Sequence, residues 1–199
     1  MFTLPEGSDS TMTMIGIDPG TDTIGIAELE LDIVTLKIVS SQSRTLSGAK
    51  LAREGTKTSP WVTMIHGKRF ARIHALVQAL LWFFRSRRPF RISSESPFIN
   101  KRFPQAGLAL TEAVFAFRLA VWEYDPWMEF GQIDPPSAKN AIGAKGNAKK
   151  EEVRDALLEY PDLNYIGTTP LEDLDEHSRD ALAVVICDYQ QMLEQLCLR

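Results

Sequence analysis

Residues 12–26 run Met-Thr-Met-Ile-Gly-Ile-Asp-Pro-Gly-Thr-Asp-Thr-Ile-Gly-Ile. Two stretches dense in Ile and Thr flank a Pro-Gly and an Asp, which spells a strand, a tight turn and a returning strand. That hairpin commits the chain to a sheet. A third strand is expected at Ile33, Val34, Leu36, Ile38 and Val39, just after the break at Leu31-Asp32, so residues 12–40 form an antiparallel meander. The Ser-, Thr-, Gly- and Lys-rich residues 41–60 carry little local preference and are expected as a mobile loop.

Beyond the meander the period changes. Ile65, Ile73, Leu76, Val77, Leu80, Leu81 and Phe84 recur at helical spacing, which predicts a long helix over 62–88 stopped by Pro89. Residues 90–95 supply a short strand that returns parallel to the first by a crossover. Residues 105–123 predict a second, mostly apolar helix, broken by Asp125-Pro126, and residues 127–133 a fifth strand stopped by Asp134-Pro135-Pro136. A basic, Gly-rich segment follows at 137–147, then a helix at 151–160 with acids in its first turn, and a last helix at about 176–196. The expected order is βββαβαβαα, an α/β fold.

Size and composition narrow the class. At 199 residues, 44% hydrophobic and 24% charged, the chain suits one soluble domain over 1–199, with residues 1–11 as a flexible extension. The longest apolar run, 181–187, falls far short of the ~18 residues of a membrane span, and the first dozen residues do not have the pattern of a secretory leader. Cys187 and Cys197 lie too far apart on one helical stretch for a local bridge, which fits a reducing, cytoplasmic setting. A net charge of −4 speaks against a uniformly basic nucleic-acid binder. The bases are clustered, however, at Lys68, Arg69 and Arg72, at Arg85, Arg87, Arg88 and Arg91, at Lys101 and Arg102, and at Lys139, Lys145, Lys149 and Lys150, while acids crowd into 159–180.

Three carboxylates fall where a backbone element would hold them among apolar neighbours: Asp18 ends the first strand, Glu95 ends the fourth, and Asp180 opens the apolar run of the last helix. If strands one and four are parallel neighbours, Asp18 and Glu95 emerge at one sheet edge about 5–8 Å apart. That suits hard divalent cations, which take several oxygen ligands and, in pairs, clamp both oxygens of a phosphodiester displacement. His177, three residues before Asp180, shares its helix face. Singly, an Asp-Pro-Gly is most often a turn, a strand-end Glu a solvated rim, and a His at a helix start a neighbour of the cap. The ordered set carries the inference.

The segment Ile15-Gly-Ile-Asp-Pro-Gly20, with Gly25 on the returning strand, resembles the first motif of RuvC-type Holliday-junction resolvases. Ile92-Ser-Ser-Glu95-Ser-Pro-Phe98 is similar to their second acidic motif, His177-Ser-Arg-Asp180 to their terminal metal-binding motif, and residues 139–150 to their basic segment. The resemblance implies an RNase H-like fold of the retroviral-integrase superfamily, a five-stranded mixed sheet with three antiparallel strands and then two parallel ones, flanked by helices. It further implies Asp18, Glu95, His177 and Asp180 as ligands of two Mg²⁺ ions, replaceable by Mn²⁺, and Phe98, Lys101, Arg102, Lys139, Lys145, Lys149 and Lys150 as DNA contacts. The resemblance implies Lys139 and Lys150 as the phosphate-facing lysines, although the spacing around Gly143 to Gly146 departs from the family's and leaves open whether Lys145 or Lys149 takes the second role.

The implied activity is hydrolysis of branched DNA to 5′-phosphate and 3′-hydroxyl ends, in the cytoplasm or at the nucleoid, in the host cytoplasm if a phage encodes it. The substrate's two-fold symmetry calls for a homodimer, with the second helix as interface candidate through Leu108, Leu110, Val114, Phe115, Phe117, Leu119, Val121 and Trp122. Rival expectations are a nuclease for flap or RNA-containing substrates, an actin-like ATP-binding protein, and a junction binder that has lost catalysis.

Overall fold

A computed structural model of the chain describes residues 10–55, 57, 59–97 and 104–197. Strands β1 (Thr11–Asp18), β2 (Thr23–Asp32) and β3 (Ile38–Ser47) form the antiparallel meander, and β4 (Arg91–Glu95) and β5 (Phe130–Ile133) complete one sheet in the order β3-β2-β1-β4-β5. β4 runs parallel to both β1 and β5. Among the described residues six α-helices accompany the sheet: α1 (Gly48–Gly55), α2 (Trp61–Arg87), α3 (Pro104–Tyr124), α4 (Pro135–Ala141), α5 (Lys150–Glu159) and α6 (Glu176–Cys197). This is the expected mixed sheet, with two helices more than expected.

The sheet is covered on both faces, and the two-residue strand period sorts its side chains. Ile15, Ile17, Ile24, Ile26, Ile92 and Phe130 join α2 and α3 in one core. Met14, Ala27, Leu29, Leu31 and Ile133 join α4, α5 and α6 in the other. By the same alternation Gly16, Asp18, Gly25, Ser93 and Glu95 belong to the α6 face. Helix α6 is buried between the sheet and the α4–α5 layer, so all seven residues of its apolar run, Ala181 to Cys187, are sequestered.

Three expectations are corrected. The third strand starts at Ile38, because Asp32 Oδ1 accepts the backbone N–H groups of Val34 (3.0 Å) and Thr35 (2.7 Å) and Leu36 turns at φ 58°. The supposed loop 41–60 opens instead as the rest of β3 and continues as α1. Its polar composition hid it, for β3 is held by partners distant in sequence: Ser41 Oγ donates to the Leu163 carbonyl (2.6 Å), and the Ser41 backbone bonds Asn164 and Ile166. The Asp134-Pro-Pro stop also starts α4, with Asp134 as N-cap accepting from Ser137 N at 3.0 Å and proline in the first turn. Smaller shifts affect the fifth strand, which begins at Phe130 and not at residue 127, and Thr11, which already belongs to β1; residues 1–9 lie outside the described ones.

Candidate active site

Asp18 and Glu95 close β1 and β4, one residue beyond the parallel pair Ile17↔Ser94, so the two carboxylates leave the sheet at the same edge and toward the same helix. What brings that helix to them is glycine. A Cβ at Gly16 would lie 2.6 Å from the Ala181 carbonyl oxygen, and one at Gly25, the partner of Asp18 across the hairpin, 1.9 Å from that of His177. With no side chain at either place, α6 rests directly on the hairpin and delivers His177 and Asp180 to the strand ends.

The start of α6 is fixed from a second direction. Asp175 Oδ1 accepts the N–H of Ser178 at 2.8 Å, as an N-cap carboxylate does, and also the Thr45 hydroxyl at 2.6 Å. Thr45 Oγ1 stands 2.9 Å from Ser178 Oγ as well. The polar end of β3 is therefore a support for the first turn of α6.

The resulting corner is crowded with acid. Asp18 is 9% exposed, and its Oδ2 lies within hydrogen-bond distance of His177 Nδ1, at 2.6 Å. Burial is the main influence holding the Asp18 carboxyl above its ordinary value, against the opposing pull of His177. Glu95 is pushed up to about 8, first by burial, then by the charges of Asp18 and Asp180. Asp180 rises to about 6 for the same reasons, burial first, then Asp18 and Glu176. The hydrogen bond to Asp18 raises His177 in turn. Lys139 is the basic side chain that opposes the rise at both Glu95 and Asp180.

Among the described residues no three His, Cys, Asp or Glu side chains already stand in a closed ion-binding arrangement. Asp18, Glu95 and Asp180 are near enough to disturb one another's ionisation and stop short of a common point. Like charges in a poorly hydrated corner repel. The donor set nonetheless suits a hard divalent cation: three carboxylates whose ionisation is opposed chiefly by burial, with an imidazole alongside.

Beside the acids lies a cavity of about 360 Å³ lined by Lys139, Lys149, Lys150, Glu176, Arg179 and Asp180, among others. Lys139 Nζ donates to the Ala148 carbonyl at 3.1 Å, Lys150 forms an ion pair with Glu176, and Arg179 donates to the Lys150 carbonyl at 3.1 Å. Lys149 and Lys150 thus join the expected quartet's surroundings, whereas Lys145 sits in an exposed turn before α5 and does not line this cavity. Phe98, Lys101 and Arg102 lie outside the described residues. Glu176 and Arg179 were not anticipated. The signal for Glu176 was available, since it stands four residues before Asp180 and so on the same helix face; Arg179 contributes through a backbone contact to α5 that no local spacing encodes.

Known proteins share this arrangement of elements. The crossover junction endodeoxyribonuclease RuvC of Dehalococcoides mccartyi is 27% identical over 187 residues, which cover 90% of this chain and 92% of that protein. The chain is RuvC-like. Among solved structures, Thermus thermophilus RuvC superposes with a TM-score of 0.61 at 21% identity, covering 92% of this chain and 97% of that one. The yeast mitochondrial Holliday junction resolvase Ydc2 gives a TM-score of 0.58 at 11% identity, over 96% of this chain and 83% of its own. At those identities the structural likeness establishes the RuvC-like, RNase H-type fold. No family model matches the chain.

Proposed function

We propose that this protein is a structure-selective, metal-dependent DNA endonuclease that resolves Holliday junctions or closely related branched DNA, with one nuclease domain spanning the chain. What supports the reading is that Asp18 and Glu95 end adjacent parallel strands of a RuvC-like sheet, with His177 of α6 against Asp18 and Asp180 on the same helix, beside a cavity lined with lysines. Asp18, Glu95, His177 and Asp180 would hold two Mg²⁺ ions, with Mn²⁺ able to substitute. Bound there, the cations would supply Lewis acidity and neutralise the charge that gathers on the phosphate during hydrolysis.

The chain's own groups divide the remaining work. Asp18 is least replaceable because it touches His177 and electrostatically influences both Glu95 and Asp180. His177 holds a proton at Nδ1 against Asp18, which orients the carboxylate. Lys139 offsets negative charge at the site, and Lys149 and Lys150 offer phosphate contacts at its entrance, with Lys145 further out and Phe98, Lys101 and Arg102 proposed as further DNA contacts. The products are 5′-phosphate and 3′-hydroxyl ends. No helix among the described residues is long and apolar enough to cross a membrane, and we place the activity in the cytoplasm, at the nucleoid.

Two symmetric cuts need two sites related by a dyad, and a homodimer through α3 supplies them. Val114, Phe117 and Val121 of the expected interface are core residues. Leu108, Phe115, Leu119 and Trp122 are 50–63% exposed and recur at heptad-like spacing, which leaves an apolar stripe for a second copy.

The test is to incubate the protein with a fixed four-way junction, a flap and a linear duplex, with and without Mg²⁺, and to map the nicks. Paired, symmetric nicks in the junction that require metal support the proposal. Metal-independent cutting, or a preference for the flap over the junction, would overturn it.

A further inference from the structure

The first half of α2 exposes a ladder of rings that the proposed active site does not use. Trp61 and His66 meet edge to face (centroids 6.5 Å), His66 and Phe70 are tilted at 4.8 Å, and Phe70 and His74 stack at 5.9 Å and 15°. Phe70 and His74 are four residues apart and so share one helix face, and His66 meets Phe70 across the break at Gly67. Trp61 is 53% and Phe70 44% exposed, too much for core packing to account for them. Within the ladder, Gly67 (φ 83°) breaks the helix at a backbone angle that side-chain-bearing residues avoid, with open space where its Cβ would be.

Two depressions adjoin the ladder and share a wall of Ala52, Thr63 and Ala71. One, of about 540 Å³ between α1 and α2, is mainly apolar and bordered by Leu51, Trp61, Val62 and His74. The other, of about 440 Å³, is basic, with Arg53, Lys68 and Arg72 in its lining. Residues 48–74 carry six Lys and Arg against one acid, Glu54, in a chain whose net charge is −4, and two of the six, Arg69 and Arg72, are paired with Glu112 and Asp22 from outside the segment. This face is also fastened to the active end of the sheet. Arg72 pairs with Asp22 in the turn that follows Asp18, and the Gly48 N–H donates to the Asp22 carbonyl at 2.7 Å.

We propose that this face of α1 and α2 binds an unpaired stretch of the DNA substrate, with bases against the Trp61–Phe70 ladder and phosphates along Lys68 and Arg72. An apolar slot and a basic trough side by side match the two faces of a single strand, whose bases are free to stack and whose phosphates release counterions. A duplex keeps its bases inside and offers nothing to the rings. The inference rests on the nuclease reading for its substrate, and it predicts that branch points with unpaired nucleotides are gripped more tightly than perfectly paired ones.

The experiment uses the full chain with fluorescein-labelled oligothymidylate and with a blunt duplex of the same length. Replacing both rings, W61A/F70A, should weaken oligothymidylate binding about 10- to 100-fold and leave duplex binding within about 2-fold. Trp61→Phe should keep the affinity yet lose part of the tryptophan quenching on binding, which separates Trp61 from the exposed Trp82, Trp122 and Trp127. Lys68→Ala should lower the salt slope of oligothymidylate binding by about one. Unchanged affinity and quenching in these variants, with wild-type folding by circular dichroism, overturns the proposal. So does a change in self-association alone, which would assign the face to a protein partner. Trp61-dependent quenching in a protein that cuts no junction sustains this surface while the nuclease reading fails; normal junction cutting with ring-independent oligothymidylate binding does the reverse.

Discussion

Helix α6 carries a buried acid, Asp188, and a half-buried one, Asp180, about two turns apart, and they are treated in opposite ways. Asp188, 2% exposed, is matched by an arginine: Arg91 Nε and Nη2 approach its Oδ1 at 2.9 and 2.8 Å, tying α6 to the start of β4. Asp180 faces Asp18, Glu95 and Glu176, with Lys139 and His177 in partial opposition, and rises to about 6. The first arrangement closes the charge balance and fixes a helix to a strand. The second sets like charges against one another at the other end of that strand, which costs stability and which, on the proposed reading, a bound cation would offset. A carboxylate's neighbours decide which of the two jobs it does.

Substituting within the acidic corner gives the largest expected effect. Asp18→Asn, or Asp180→Asn, should cut single-turnover cleavage of a four-way junction by more than about 10³-fold, as loss of a group central to transition-state charge does. Gel-shift affinity for the junction should persist. Cleavage at the wild-type rate in either variant would remove the corner from the chemistry.

Next in size is the contact that joins corner to helix. In Gly25→Ala the new Cβ meets the His177 carbonyl, which is backbone and has no rotamer by which to escape. We expect a loss of about 1–3 kcal/mol in urea unfolding, with cleavage falling further than the population of folded protein explains. A variant as stable and active as the parent would show that α6 does not depend on the glycine.

The two acids of α6 can then be set directly against each other. Asp188→Asn strips Arg91 of its counter-charge and should destabilise the fold by on the order of 2 kcal/mol, whereas Asp180→Asn relieves repulsion and should raise the thermal midpoint of the metal-free protein at pH 8. Equal shifts of the same sign would erase the distinction.

A smaller, graded effect follows from protons. Asp18, Glu95, His177 and Asp180 all have folded-state values above their ordinary ones. The folded chain therefore binds more protons than the unfolded one, and stability is gained on acidification and lost as pH rises through the folded values. Between pH 5 and pH 8 the thermal midpoint of the metal-free protein should fall, and Mg²⁺ or Mn²⁺ should raise it more at pH 8 than at pH 5. A scanning calorimeter decides it; a metal-free midpoint that climbs over this range would contradict the electrostatics of the corner.

Much of this was written into local sequence. The hairpin around Asp18-Pro19-Gly20, the parallel return to Glu95 and the apolar run after Asp180 are short-range patterns, and each falls on the element expected of it. What local pattern missed has a common cause. β3 is a strand because distant backbone at 163–166 and the neighbouring β2 complete its hydrogen bonds, not because Ser-Ser-Gln-Ser prefers one. α1 is helical on the strength of its contact with α2. Asp134-Pro-Pro signals an end and a beginning equally well.

On its own, then, the sequence determined the hairpin, the helical period of α2, α3 and α6, and the kinds of side chain offered at positions 18, 95, 177 and 180, since dihedral preference and hydrophobic spacing act over a few residues. Only the tertiary structure decided that those side chains share one corner, that Glu95 holds its proton up to about 8, and that the Trp61 ladder faces outward beside a basic trough. Burial and charge proximity are properties of distance in space. Two glycines, by letting one helix touch one hairpin, convert the first kind of information into the second.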